Sequence, residues 1–538
     1  MEYGSKALTL FSLLLLLLAL ESSFITLTHS KSIVKTLPGY PGQLPFKLET
    51  GYVGIGEKEE AQFFYYFVES ERNPEEDPLL LYLTGGPGCS AVITFFYQIG
   101  PLSFNFDNAP ENITITKNPN SWTKMANIIF VDMPAGVGFS YATTKEASIS
   151  SDRIVVKQAN DFIRKFLIDH PKFLKNPLYI TGISYMGIVT PIITSELYKA
   201  NERGDQPSLN IQGYILCSPL TDKFMDFNSR VEYAHRMALI SDDIYKSAIE
   251  NCRGNYVNTN TANSICTDSL QRYVECTSGL NMEDILEPLC NKSDVQPYCR
   301  EYYYDFAEDW INDKAVQEAL NVRQGTIGKW EFFNRTMHYI EGKNDTFCYA
   351  YDIFSSFAYH KKLVRKNCRA LIFSGDHDMT FPYVGIEQWI AALNLAVDSP
   401  WKPFYVNKQV GGYEMTYGQN DFSLTFATVK GAGHSVAQYK PKEAMVLAEK
   451  WLASKAYSSA MFALAVEKLV VFVMSSMNIF VPIIRGGGTS AAGGILVAER
   501  IAIHNHTYSF SYTRRTKQKA LVNTAKQKHN TLPLLVII

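Results

Sequence analysis

Six short runs rich in aliphatic, β-branched and aromatic residues, each closed by turn residues, recur along this chain at 79–83, 127–131, 178–180, 211–216, 370–374 and 424–429. Between them, residues 154–168, 188–200 and 441–452 carry apolar side chains at three- and four-residue spacing, the period of a helix with one buried face. A parallel strand pair needs a crossover long enough to hold a helix, so this alternation predicts a mostly parallel central sheet covered on both faces. It fails between 221 and 366, where a Cys-rich and Tyr-rich segment takes over. That stretch is expected to be an inserted cap on a core made of 31–220 and 367–453. From 454 to 538 the character changes again, through an apolar patch at 469–484, the run GGGTSAAGG and a basic stretch. This tail is expected to be an appendage to the core, disordered or artefactual.

Charge narrows the function classes. Lys and Arg number 51 against 53 Asp and Glu, so no domain-sized basic field exists to hold a phosphate backbone, and nucleic acid is not an expected partner. Residues 1–30 read as a secretory signal peptide: Lys6, then an apolar run from Ala7 to Leu20 that Glu21 ends short of the about 20 residues a spanning helix needs. No membrane anchor is expected. Nine cysteines would then enter an oxidising lumen, five of them between Cys252 and Cys299, with no Cys-x-x-Cys pair to suggest zinc. Disulfides Cys252–Cys266 and Cys290–Cys299 are the expected short bridges, and neither metal nor cofactor is expected. Asn112, Asn291, Asn334 and Asn344 each begin an Asn-x-Ser/Thr triplet and are candidate glycosylation sites.

Four motifs carry chemistry. In PLYITGISYMGIVTP a strand ends, Ser184 follows on a sharp turn and a helix begins near Tyr185, the arrangement that lifts a nucleophilic hydroxyl above a sheet edge. Upstream, LYLTGGPGCSA runs a strand into Gly85, Gly86, Pro87 and Gly88, where missing side chains let backbone N–H groups approach a developing oxyanion. LIFSGDHDMTFP places Asp376 and Asp378 on a loop after a strand, and TFATVKGAGHSVAQYKP places His434 on another. A serine, an acid and a histidine in that chain order suit nucleophilic catalysis with an oriented general base.

Together with LPGYPGQLPFKLETGYVGI and KNPNSWTKMANIIFVDMPAGVGFSYA, these motifs resemble the serine carboxypeptidase family, in particular the plant serine carboxypeptidase-like group that includes acyltransferases using glucose esters. The resemblance runs from about residue 36 to residue 452 and implies an α/β-hydrolase fold. It implies Ser184 as nucleophile, His434 as general base and then acid, and Asp378 as the group that orients the imidazole. The backbone N–H groups of Gly86 and Tyr185 would form the oxyanion hole. The family also implies a secreted or vacuolar location.

Three departures from the family pattern shape the functional expectation. Ile183 stands where the family has an acid before the serine, and Met186 where it has a small residue, so crowding of the turn is expected. The peptidases grip a peptide's terminal carboxylate with that acid, a Glu and an Asn; here Ile183, Gln98 and Thr84 occupy those places, beside Gly85, as the expected substrate-binding set. The acyltransferase-like members usually carry a cysteine at the position of Phe333, partner to the counterpart of Cys89, so Cys89 is expected to bridge instead to Cys348. The expected function is acyl transfer from a glucose ester to a small-molecule acceptor in plant secondary metabolism. A carboxypeptidase acting on peptide C-termini, or an inactive binding homologue, are the alternatives.

Overall fold

The strand–helix alternation resolves into a twelve-stranded sheet in the computed structural model, which describes residues 31–106, 113–259, 262–290, 300–334, 337 and 348–454. Residues 1–30, expected to be a signal peptide, Asn112, Asn291, Cys299, Asn344 and tail residues 455–538 lie outside the described residues, and for Cys348 only the backbone is described. The strands are β1 (Lys31–Val34), β2 (Leu48–Ile55), β3 (Ala61–Val68), β4 (Leu79–Leu83), β5 (Asn127–Val131), β6 (Tyr141–Ala142), β7 (Leu178–Ile183), β8 (Ile211–Cys217), β9 (Arg369–Gly375), β10 (Ala396–Val406), β11 (Gln409–Gln419) and β12 (Phe422–Val429). Their order across the sheet is β1-β2-β3-β5-β4-β7-β8-β9-β12-β11-β10, with β6 paired to β3.

The centre, β5-β4-β7-β8-β9-β12, is wholly parallel, and these are the six strands read from the sequence. Antiparallel pairs extend it on both sides. Central strands alternate between two apolar faces, as the pleat requires. Leu79, Leu81 and Leu83 of β4 pack with α1 (Asp152–Asp169) and α2 (Met186–Arg203), while Leu80 and Tyr82 pack on the other side with Leu447 and Trp451 of the helix at 441–454. α1 starts on a Ser151 cap whose hydroxyl accepts the Ile154 N–H. α2 contains Pro191, which cannot bond the Gly187 carbonyl, and the Ser356 hydroxyl takes that acceptor instead at 2.9 Å.

Between 221 and 366 the chain is mainly helical: α3 (Lys223–Arg236), α4 (Asp242–Cys252), α5 (Ser264–Thr277), α6 (Arg300–Asn312), α7 (Lys314–Ala319) and α8 (Phe357–Leu363). A Cys252–Cys266 disulfide joins the end of α4 to α5. Cys290 is also disulfide-bonded. Among the described residues no helix is long and apolar enough to cross a membrane.

Candidate active site

Because the six central strands are parallel, all their carboxyl ends open on one edge of the sheet, the place where such sheets collect chemistry. β4 delivers the Thr84–Ser90 loop there, β5 delivers Asp132, β7 delivers Ser184, β9 delivers Asp378 and β12 delivers His434.

The turn at Ser184 is strained. Its φ of +61° lies in the left-handed region, which costs a non-glycine residue about 1–3 kcal/mol unless its surroundings impose it. Here they do. The Ser184 N–H bonds the Cys217 carbonyl at 3.0 Å, and the Ser184 carbonyl accepts from Gly187 at 2.9 Å and Leu220 at 3.0 Å. Close packing fixes the flanks, since a Cβ at Gly182 would overlap the Thr190 hydroxyl and one at Gly187 would overlap the Leu220 carbonyl. The crowding expected of Met186 does not displace the turn. Its side chain, 1% exposed, belongs to the apolar cluster that α1 and α2 form on the sheet.

Asp378 is fully buried and accepts three hydrogen bonds, from the Thr380 and Phe381 N–H groups at 2.8 and 3.1 Å and from His434 Nδ1 at 2.9 Å. A carboxylate only accepts, so this contact places a proton on Nδ1 and leaves Nε2 as the available base. Burial works against the imidazolium, but the charge and hydrogen bond of Asp378 outweigh it and hold His434 above its ordinary value. Cys217 connects the two halves: its carbonyl takes the Ser184 N–H, and its thiol lies 3.9 Å from the His434 carbonyl. No hydrogen bond joins the Ser184 hydroxyl to His434 among the described residues, a looseness common before substrate closes such a site.

The glycine loop lies against the serine. A Cβ on Gly85 would sit 3.2 Å from Ser184 Oγ. Gly86, at φ +116°, and Tyr185 both present backbone N–H groups that meet no acceptor among the described residues. Gln98, at the end of a π-helical turn (Ile93–Gln98), is buried, with its amide nitrogen 3.4 Å from the Ser435 hydroxyl and its oxygen 3.4 Å from the Tyr82 hydroxyl. Thr84 contacts Thr94 at 3.2 Å, and Ile183 is 4% exposed within an apolar cluster. All four expected substrate-binding positions thus gather at the edge that carries Ser184.

The expected Cys89–Cys348 bridge is corrected. Cys89 is a free cysteine, its thiol pushed up to about 12 by burial, and its backbone pairs with Phe333 in an antiparallel bridge. The Cys348 backbone is committed elsewhere, in a parallel pairing with Ile149. Backbone contacts hold the loop in place of a bridge: the Ser90 N–H to the Phe332 carbonyl at 2.8 Å and the Asn334 N–H to the Gly88 carbonyl at 3.0 Å. The side-chain nitrogen of Asn334, a sequon residue, itself donates to the Gly136 carbonyl at 2.6 Å.

Sequence reading missed how far the 221–366 segment braces the site. Met282 accepts from the Met379 N–H at 3.0 Å, and the Glu283 carbonyl accepts from the His434 N–H at 2.6 Å, so one short stretch spans the acid loop and the histidine loop. No local signal in that stretch announced it. Among the described residues no cluster of side chains could hold a metal ion.

Comparison with known proteins agrees with this arrangement. A serine carboxypeptidase family profile matches residues 38–454. Serine carboxypeptidase-like 13 of Arabidopsis thaliana is 44% identical over 450 residues, covering 84% of this chain and 99% of its own, and serine carboxypeptidase-like 17 of the same plant is 43% identical over 433 residues, covering 80% and 95%. Among solved structures, a prohormone-processing carboxypeptidase from Saccharomyces cerevisiae shares the fold with a TM-score of 0.61 at 18% identity, over 80% of this chain and 96% of that one. Parallel sheet, serine turn and matched residues converge, and the chain belongs to the serine carboxypeptidase family.

Proposed function

We propose that this protein transfers an acyl group from a glucose ester to an acceptor alcohol through an acyl-enzyme on Ser184. His434 Nε2 takes the proton as Ser184 Oγ attacks the ester carbonyl, and Asp378 steadies the imidazolium that forms. The tetrahedral oxyanion is held by the Gly86 and Tyr185 N–H groups. Collapse breaks the bond to the sugar oxygen, which leaves with the proton from His434. The acceptor hydroxyl then repeats the sequence in reverse, giving its proton to His434 as it attacks the acyl carbonyl.

The observation that carries this reading over peptide hydrolysis is Ile183, buried in apolar surroundings next to the nucleophile where a carboxylate-gripping acid would be needed. Gln98 with Ser435, and Thr84 with Thr94, add an amide and hydroxyls at the same sheet edge, groups suited to a neutral sugar or ester oxygen. A terminal carboxylate desolvated against Ile183 would go largely uncompensated, at a cost of about 1–3 kcal/mol or more. The apolar leader and the sequons support a secretory route to a vacuole or the cell exterior. Turnover of an acyl glucose ester, lost in Ser184→Ala, tests the proposal; a wild-type protein that leaves the ester intact while hydrolysing peptides overturns it.

A further inference from the structure

Two carboxylates that the chemical steps above do not use stand directly behind the two oxyanion donors. Asp132, the residue after β5, is fully buried. Its Oδ1 accepts from the Ser90 hydroxyl and the Ala91 N–H, both at 2.7 Å, and its Oδ2 accepts from the Phe139 N–H at 2.9 Å. Gly138, at φ +54°, leaves room for it, since a Cβ there would overlap the carboxylate. No cation reaches Asp132 among the described residues, and burial pushes it up to about 6 even against three donors. An anion without a counter-ion is an expensive way to fill a core, because a neutral side chain would pack there with less desolvation. What it supplies is a set of fixed acceptors at the exit of the glycine loop.

Asp152, the first residue of α1, is placed likewise behind the serine turn. Its Oδ1 accepts from the Tyr185 hydroxyl at 2.7 Å and the Tyr349 hydroxyl at 2.9 Å, and its Oδ2 from the Ile353 N–H at 2.9 Å. Tyr185 therefore has its ring anchored at the far end, while its backbone N–H opens beside the nucleophile. We propose that Asp132 and Asp152 are positioning residues of the oxyanion site, Asp132 fixing the loop that carries the Gly86 N–H and Asp152 fixing Tyr185. The inference rests on the acyl-enzyme reading of Ser184 and extends it to two residues that touch no reacting atom. Its physical basis is distance: an oxyanion donor works within a few tenths of an ångström, and a shift of about 1 Å can cost about a hundredfold in rate.

The test uses the full-length glycosylated protein and the variants Asp132→Asn, Asp152→Asn, Ser90→Ala, Tyr185→Phe and Ser184→Ala. An amide in place of either carboxylate turns one acceptor into a donor facing another donor. Four quantities are read: kcat and KM for an activated ester, affinity for an alkylboronic acid that forms a tetrahedral adduct on serine, and affinity for the planar amide of the same acyl group. For the two Asn variants kcat should fall about 10- to 100-fold with KM nearly unchanged, and boronate affinity should fall with kcat while amide affinity holds. Ser90→Ala and Tyr185→Phe should move the same way by about 3- to 10-fold, and they decide the matter if the Asn variants do not fold. Equal losses of boronate and amide affinity, or folded variants turning over within twofold of wild type, overturn the inference. A Ser184→Ala protein that still turns over overturns the acyl-enzyme reading instead; one that is dead beside wild-type-like Asp132→Asn and Asp152→Asn leaves that reading standing and sinks this inference alone.

Discussion

The serine turn and the glycine loop meet at one sheet edge, yet the residues that brace them lie at different distances along the chain. The turn is held between the strand before it and the helix after it, and by the end of the neighbouring strand, where Cys217 and Leu220, 33 and 36 positions on, bond Ser184. The loop too lies between a strand and a helical turn, but its further restraints come from residues 41 to 246 positions away, Asp132 on one side and Phe332–Asn334 on the other. The strained turn at Ser184 is thus fixed by the strand beside its own in the sheet, whereas the glycine loop is fixed by segments brought to it from much farther along the chain. Phe333 lies opposite Cys89, and backbone hydrogen bonds brace the loop there without a disulfide at Cys89.

The largest effects should come from the turn side. Ser184→Ala and His434→Ala are each expected to lower ester turnover by about four to six orders of magnitude, and Asp378→Asn by about four, since the three act as one unit. Labelling of wild type by a serine-directed phosphonate, absent in Ser184→Ala, checks the assignment. On the loop side, Gly85→Ala would put a methyl 2.7 Å from Ser184 Cβ and 2.8 Å from the Ile183 carbonyl. Displacement of the loop should lower kcat about a hundredfold; an unchanged rate would show the loop to be more pliant than its hydrogen bonds imply.

The pH profile links the two regions through His434. The base must be neutral to accept the serine proton, so kcat/KM should rise with pH through a midpoint above the ordinary histidine value of about 6.5, tenfold per unit on its acid limb. Asp378→Asn should move that midpoint down. The stability sign is opposite: a raised folded value means the Asp378–His434 contact stabilises fully below the unfolded histidine value, and that contribution is lost as pH rises through the folded one. Denaturant midpoints across that window check it.

Smaller effects separate packing from chemistry. Met186→Ala removes a side chain that is 1% exposed, and should cost about 2–5 kcal/mol of stability without raising turnover, contrary to a crowded turn awaiting relief. Cys89→Ser should change turnover by less than about twofold, because burial keeps the thiol protonated and the loop is held without it. A larger loss would assign the thiol a role in the loop that its backbone contacts do not.

The parallel centre was legible in the sequence because its six strands are short apolar runs buried on both faces, and the local signature of Ser184 was legible because strand, turn and helix lie within a few residues. Antiparallel strands at 48–55, 396–406 and 409–419 were not read, since Gly, Pro and polar residues interrupt their alternation, and 61–68, an apolar run buried on both faces, was passed over although its composition is that of a strand. The placing of Cys89 failed for another reason: the residue opposite it is fixed by register across 244 positions, which spacing does not encode. Asp132 and Asp152 escaped notice because each is a single acid whose partners come together only on folding.

If a serine-centred site lacking a carboxylate grip serves acyl transfer, esters and peptides should part company at it. The most direct test is a side-by-side kcat/KM comparison of an acyl glucose ester, with an acceptor alcohol present, and a blocked dipeptide, from about pH 4 to 7, across the ionisation ranges of the carboxylates and histidine. Ester turnover with transfer to the alcohol, negligible dipeptide cleavage at every pH, and loss of the transfer in Ser184→Ala are the expected results. Efficient release of C-terminal amino acids by the unmodified protein, lost in Ser184→Ala, would contradict the acyl-transfer reading.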